Sequence, residues 1–557
     1  MSYLSLALFS LSSILLLFVW RQKRKHDSEK DSSSMKLKVP KGPMSLPIVG
    51  NIIQLGDRPY ETMFKWRDKY GPVYKLKLGS QEVVVLNGTD IIREAFINYG
   101  EEFAGRPQLY MIHATLKGKG MISSPYNQDF NEHKKFLINT FNRFGRRRSS
   151  LEVNCLQTIS ETLNDYREQI DHNFEYTHNQ IKNSLSQITS QNVFKMTFGI
   201  SMDDKKYFST LVDLVTENFN NTSVAAAFNF IPISRIFKKF ILKNVLRCSE
   251  FLNNLISEKM KQYHEEIDHI DFDEDDNNAE ITIIECYLKE LMTNANFLSN
   301  FPMESMDDSS ISRLFNVQSR KLTEKRRSSI TSGLSNERCR SSYKSFSFDH
   351  LSSIVQDLFI AGTETTSLTI NWAIIYVIYF PECQKRICED IDKIIGRERL
   401  PTESDRYKLI YVEAFILETL RHHCAGPILI PRSLTKDTVF KDYHLPENTF
   451  ILANMWSCMR DPAYWNEPDK FDPSRFIDAD GSLKCKNPAM MPFSVGKRAC
   501  IGESIARLQI FLIFTSLLQK FSFSFANEKD FNNKKLLLGH PGIGLNPPKV
   551  SLKLKLR

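Results

Sequence analysis

Cysteine is scarce in this chain: ten residues in 557, scattered singly. That spacing excludes a disulfide framework and reads as reduced thiols in a cytosolic setting. Glycine and proline are also few, 22 of each, which excludes collagen-like and low-complexity chains. No GxGxxG and no phosphate-cradling P-loop occurs, so the chain shows no nucleotide site of its own. A large charge excess is missing too. The 73 basic residues exceed the 65 acidic ones by eight, too diffusely to argue for nucleic acid. Two metal-like spacings fail. His264-Glu265 is followed by His269 at i+5, off the face a zinc helix needs, and the Asp271/Asp273/Asp275 run has Asp276 where a calcium loop needs glycine and Thr282 where it needs glutamate. What remains is an ordinary globular composition, 42 % hydrophobic and 25 % charged, with length enough for one large domain.

One long apolar run is present. Residues 1–20 (MSYLSLALFSLSSILLLFVW) carry no charge, and residues 21–25 (RQKRK) carry four positive ones. At about 1.5 Å per helical residue, Tyr3–Trp20 spans roughly 27 Å, close to a thin bilayer. A cleavable signal peptide is the competing reading. It would need a basic leading segment and a small-residue cleavage site, and the run ends instead on bulky Phe18-Val19-Trp20. The expectation is an uncleaved transmembrane helix at 1–20, a basic, polar tether at 21–38, and a body (39–557) on the cytosolic side. Pro40, Pro43 and Pro47 make a stiff extended lead into that body.

Within the body, 60–70 reads as a helix. Tyr74-Leu76-Leu78 alternates with lysines, then Gly79-Ser80 and Val83–Leu86 follow, which predicts a hairpin. Helical spacing dominates from about 130, with short strands late in the chain. The fold class expected is mostly α with small β-sheets. Residues 297–345, rich in Ser, Lys and Arg, offer little core and read as a disordered insertion. Within it, Ser329 two residues after Arg327 is a basophilic kinase candidate.

Three motifs carry chemistry. The sharpest is PFSVGKRACIGES (492–504), where Phe493, Gly496, Arg498, Cys500 and Gly502 make FxxGxRxCxG. A five-point match by chance has odds on the order of one in ten thousand in a chain of this composition. A cysteine at a helix start, with free N–H groups after it, has its thiolate favoured. The second is AGTETTS (361–367) inside an apolar helix predicted over Phe348–Phe380, capped by Ser347 and stopped by Pro381. Asp357, Ala361, Glu364/Thr365 and Leu368 fall on one face of it. Gly-Thr-Glu-Thr-Thr is a poor helix former, and local cost without packing gain points to function. The third is Glu418-x-x-Arg421, weak alone but followed by FDPSRF with Arg475 and then by Cys500.

This order resembles the cytochrome P-450 superfamily of haem-thiolate monooxygenases, from Pro40 to about Arg557, nearest to the animal microsomal branch of drug- and steroid-oxidising members. The resemblance implies that fold, haem b as cofactor, and Cys500 as axial ligand to the haem iron. Phe493 then shields the sulfur, Gly496 and Gly502 let the loop lie close to the porphyrin, and Arg498 and Arg432 (of PILIPR, 427–432) meet propionates. Gly362 makes an oxygen groove, Glu364 and Thr365 form the acid–alcohol pair that delivers protons, and Glu418, Arg421 and Arg475 make a structural network. Arg106–Pro125, 215–230, Ile360/Ala361, Ile428–Ile430 and Ile543–Gly544 border the pocket. There are two departures. The family's WxxxR is FNEHK (130–134) here, so Phe130 and Lys134 stand where an indole donor and a guanidinium are usual. The 297–345 segment is the other.

The function expected is a membrane-anchored, single-pass monooxygenase of the endoplasmic reticulum that inserts one atom of O₂ into a lipophilic substrate. Electrons come from an NADPH-dependent flavoprotein reductase, with a b-type cytochrome as a further partner. Lys134, Lys135, Arg143, Arg146–Arg148 and Lys497 form the docking face; membrane lipid is a partner and nucleic acid is not. Two alternatives stay open: a haem-thiolate hydroperoxide isomerase, against which Glu364-Thr365 argues, and a non-catalytic haem or lipid binder.

Overall fold

The computed structural model describes residues 38–109, 117–146, 148–170, 178–199, 282–292 and 345–557, apart from 485, 532, 541 and 543. It also describes short runs at 209–214 and 249–258 and the single residues 113, 230, 243, 246 and 247. The expected anchor at 1–20 lies outside the described residues. So do the tether (21–38) and the insertion (297–345) except for one end residue each, the pocket stretch 215–230 except for Phe230, Ser329 and Ile543. Among the described residues no helix is long and apolar enough to cross a membrane.

The main elements are α1 (Pro59–Tyr70), β1 (Val73–Leu78), β2 (Gln81–Asn87), α2 (Gln128–Arg146), α3 (Arg148–Ile170), α4 (His178–Phe198), α5 (Ile283–Met292), α6 (Phe348–Tyr379), α7 (Pro381–Ile394), α8 (Ile410–His422), β3 (Arg432–Ser433), β4 (Thr438–Phe440), β5 (Tyr443–Leu445), β6 (Phe450–Asn454), α9 (Glu503–Lys520), β7 (Phe521–Phe525) and β8 (Leu552–Leu556). Helices dominate and the sheets are small, as the spacing predicts. The predicted hairpin forms: β1 and β2 pair antiparallel from Val73↔Leu86 to Leu78↔Gln81, turning at Gly79 with φ +55°. β2 then runs parallel to β6, which takes β3 antiparallel on its other edge, giving the order β1-β2-β6-β3.

α6 is the axis of the molecule. Ser347 caps it, its hydroxyl accepting from the His350 N–H at 3.3 Å. Proline at position 381 starts α7 and ends the ladder. Its second half is sheathed by α8 and α9, where Trp372, Tyr376 and Val377 join Val412, Phe415, Phe511 and Phe514 in one core. Its first half joins Phe136 and Leu137 of α2 and Tyr287 of α5 in a second core. The AGTETTS run lies between these two apolar bodies, alongside α4.

Candidate active site

The loop 492–504 folds back on itself before α9 begins: the Cys500 N–H donates to the Phe493 carbonyl at 2.9 Å. Burial pushes the Cys500 thiol up, and a hydrogen bond from the Gly502 N–H pulls the other way. Of the seven described cysteines, Cys500 is the exposed one. The residue thus keeps accessible surface although its thiol is largely desolvated. The others are sealed; burial pushes Cys155 to about 12 and Cys424 to about 11, which makes them inert thiols. Gly496 has φ +79°, and a Cβ there would meet the Phe96 carbonyl oxygen at 1.8 Å. Its glycine is thus required by the neighbouring backbone, a reason that motif spacing does not reveal. At Gly502 a Cβ would meet nothing within 4 Å.

Three arginines converge beside this loop. Arg432 lies 3.3 Å above the Phe96 ring and donates to Ser494 Oγ at 3.2 Å, while its Nη1 is buried with no hydrogen-bond partner. Arg498 lies 3.7 Å above the Phe130 ring and donates to the carbonyls of Ala104, Met121 and Ser124. Arg106 donates to the carbonyls of Ile122, Ile430 and Pro431. Burial, then repulsion by Arg106, pulls Arg432 well below the usual arginine range and Arg498 to about 8; burial alone pulls Arg106 to about 10 against the attraction of Asp357. Such a cluster, with a buried unpartnered N–H among its donors, calls for anions between its members. Lys134 donates to the Lys497 carbonyl, and burial followed by Arg498, Lys497 and Arg432 holds its pKa down. Phe130, 3 % exposed, is a floor under Arg498.

Across from the loop, α6 brings Asp357 onto the same segment. Its Oδ2 accepts from the Met121 and Ile122 N–H groups at 2.6 and 2.9 Å, while Arg498 holds the Met121 carbonyl. About two turns further on, Thr365 is half-buried and its hydroxyl donates to the Ala361 carbonyl at 2.6 Å. Glu364, which spacing groups with Thr365, instead faces α4: Ser186 Oγ donates to its Oε1 at 3.3 Å, and Lys182 Nζ is 3.5 Å from its Oε2. A side chain at Gly362 would meet Val193 Cγ2 at 2.8 Å, so α6 and α4 cross closely there.

The third motif closes as a network. Arg421 grips Glu418 with two bonds, at 2.6 and 2.8 Å, and Arg475 adds a third at 3.2 Å. The two guanidiniums also take the carbonyls of Met459, Asn466, Glu467, Pro468 and Lys470. One fully buried carboxylate thereby fixes the whole 459–475 stretch.

Residues 40–554 match the family model described as Cytochrome P450. The chain belongs to that family. It is 31 % identical over 546 residues to cytochrome P450 2C23 of Rattus norvegicus, covering 97 % of this chain and 96 % of that one. It is 30 % identical over 525 residues to cytochrome P450 2B19 of Mus musculus (92 % and 93 %) and 29 % identical over 518 residues to cytochrome P450 2H2 of Gallus gallus (92 % and 90 %). The protein is therefore a P450 monooxygenase, an oxidoreductase with haem b on a cysteine thiolate. The residues of this site fit that group: an accessible cysteine whose thiol receives a backbone N–H, and beside it a cradle of arginines for two carboxylates. Motif reading did not single out Arg106 within its pocket stretch, and it missed Lys182 and Phe96 entirely. None belongs to a periodic pattern. Of the P450's expected docking cations, Lys135, Arg143 and Lys497 are exposed, the last paired with Glu101 at 3.0 Å, and the side chains of Arg146–Arg148 lie outside those described.

Proposed function

We propose that this P450 is a membrane-anchored monooxygenase that inserts one atom of O₂ into a lipophilic substrate, drawing electrons from NADPH through a flavoprotein reductase, with a b-type cytochrome as a second donor. The observation that carries the reading is Cys500, accessible and hydrogen-bonded by the Gly502 N–H, with Arg106, Arg498 and Asp357 of α6 gathered around one segment, 121–124, and the Thr365 hydroxyl further along the same helix. Cys500 would be the axial ligand, and Arg432, Arg498 and Arg106 would hold the propionates, with Lys134 beside them. When bound, the thiolate-ligated haem supplies the iron at which O₂ is reduced and activated. The chain's own part is to orient and to move protons. Thr365 presents a hydroxyl that can leave the Ala361 carbonyl, Glu364 is the carboxylate behind it, and Gly362 keeps the helix slim at that point. Glu418, Arg421 and Arg475 hold the 459–475 stretch.

Lipophilic substrates are supported by the apolar residues of the expected pocket: Ile360 and Ile428 are half-buried, and Ala361 and Ile430 exposed. A single-pass anchor in the endoplasmic reticulum, with the catalytic domain facing the cytosol, is supported by the uncharged run at 1–20 and the basic cluster after it. It is supported too by Ile48 and Ile53, 81 % and 68 % exposed just beyond the tether, apolar surface suited to lipid. The reading predicts a reduced carbon-monoxide band at about 450 nm that Cys500→Ser abolishes. Retention of the band in Cys500→Ser overturns the ligand assignment, and turnover that needs no reductase favours the isomerase.

A further inference from the structure

Along α4, Lys182, Ser186, Thr189 and Ser190 recur at helical spacing on the face turned to α6. Thr189 Oγ1 donates to the Thr363 carbonyl and Ser190 Oγ to Thr363 Oγ1, both at 2.9 Å. Ser186 reaches Glu364 as described and lies 3.2 Å from Ser367 Oγ. The remaining member is Lys182, whose side chain is 9 % exposed against 1 % for Glu364. Two opposite charges are thus sealed between helices that pack well on apolar residues. A buried ion pair is no better for stability than apolar side chains of the same volume, whereas removing one partner leaves an uncompensated charge at heavy cost. A local cost of this kind points to use.

The geometry says what the use is. Thr365 follows Glu364 by one residue, about 100° further round the helix, and its hydroxyl bonds to Ala361 on the open side. The carboxylate meets that hydroxyl only by turning away from α4 or through a bridging water. We infer that Lys182 is a positioning residue for the proton-delivery carboxylate: it keeps Glu364 turned toward α4, and Glu364 serves Thr365 by leaving Lys182. This rests on the reading of Glu364 and Thr365 as the acid–alcohol pair.

The test uses the full-length, haem-loaded protein with reductase and compares Glu364→Gln, Lys182→Met, Lys182→Arg and the double variant Lys182→Met/Glu364→Gln. Hydrogen peroxide released per NADPH is read beside the thermal midpoint. Glu364→Gln alone decides the underlying reading; a parental peroxide share there removes the acid–alcohol pair, and Lys182 with it. Given a raised share, Lys182→Met is expected to raise it by about threefold or more, a part of what the carboxylate it positions contributes. Lys182→Arg restores the parental share, and the double variant is no worse than Glu364→Gln while regaining the midpoint that Lys182→Met loses. A parental share in Lys182→Met, or effects in the double variant that simply add, overturns the inference. Should Lys182→Met not hold haem, Lys182→Gln takes its place; if neither holds it while the double variant does not either, Lys182 belongs to the fold alone and the inference fails.

Discussion

Asp357 is buried on α6 with one oxygen fully used and the other, Oδ1, without a hydrogen-bond partner among the described residues. Burial pushes its carboxyl up to about 7, against the pull of the Ile122 and Met121 N–H groups and of Arg106. The folded chain therefore binds this proton more tightly than the unfolded chain, whose carboxyl titrates near 3.8. Between those values the folded state carries more protons, so this group's contribution to stability falls as pH rises through the window. Buried His133 and half-buried His350 act with the opposite sign, since desolvation pulls His133 down and His350 to about 4. A difference measurement isolates the carboxylate. The thermal midpoint of Asp357→Asn relative to the parent is expected to rise between pH 5 and pH 7, within the range in which such a group titrates; a constant difference refutes it. At Arg432 the buried Nη1 and the short Phe96 contact predict a role in holding haem. Hydrogen bonds to charged groups contribute about 1.5–3 kcal/mol, so Arg432→Ala should transfer haem to a scavenging apo-globin about tenfold faster or more. Parental transfer would place the propionates elsewhere.

At the scale of elements, Glu418 ties α8 to the 459–475 stretch. Both Glu418 and Arg421 are fully buried, so Glu418→Gln leaves two guanidiniums facing a neutral amide. Breaking a buried pair costs about 3–5 kcal/mol, a loss visible as a lower denaturation midpoint. Arg475→Gln, which leaves the Arg421 pair intact, should lose less. This network was legible in sequence because the order of its three residues is diagnostic even though each is common. α6 was legible for a different reason: an apolar run between a serine cap and a proline stop is a local signal, and it predicts Phe348–Phe380 where the helix spans Phe348–Tyr379. The hairpin likewise follows from alternation around Gly79-Ser80. What stayed hidden depends on distant pairing. β2 lies beside β6 through contacts such as Asn87 to Asn454, 367 positions apart. Ser186 meets Glu364 across 178. Periodicity tells which face is buried, not what lies against it, so it groups Glu364 with Thr365 although the Glu364 side chain turns to α4.

For the molecule as a whole, the arginine cluster makes folding and cofactor loading one problem. Arg106, Arg432 and Arg498 are drawn from three distant parts of the chain and meet around residues 121–124 and the Cys500 loop. Arg432 and Arg498 are buried and Arg106 half-buried, and Arg106 repels both of the others, adding to the burial that lowers their proton affinity. Asp357 offsets part of this at Arg106. A ligand that binds only the folded chain raises its apparent stability by mass action, and here the ligand also brings the carboxylates that the cluster calls for. Charge-assisted, bidentate arginine–carboxylate bonds are the strong kind. The haem-loaded protein should therefore melt well above the haem-free chain, and much of that gap should come from the propionates rather than from the ring. Loading with haem dimethyl ester, which keeps the iron and the macrocycle but has no carboxylate charge, is expected to give less than half of the rise seen with the dicarboxylate at equal free ligand. An equal rise with both would mean that the arginines are satisfied within the fold and that thiolate ligation and ring burial carry the stabilisation.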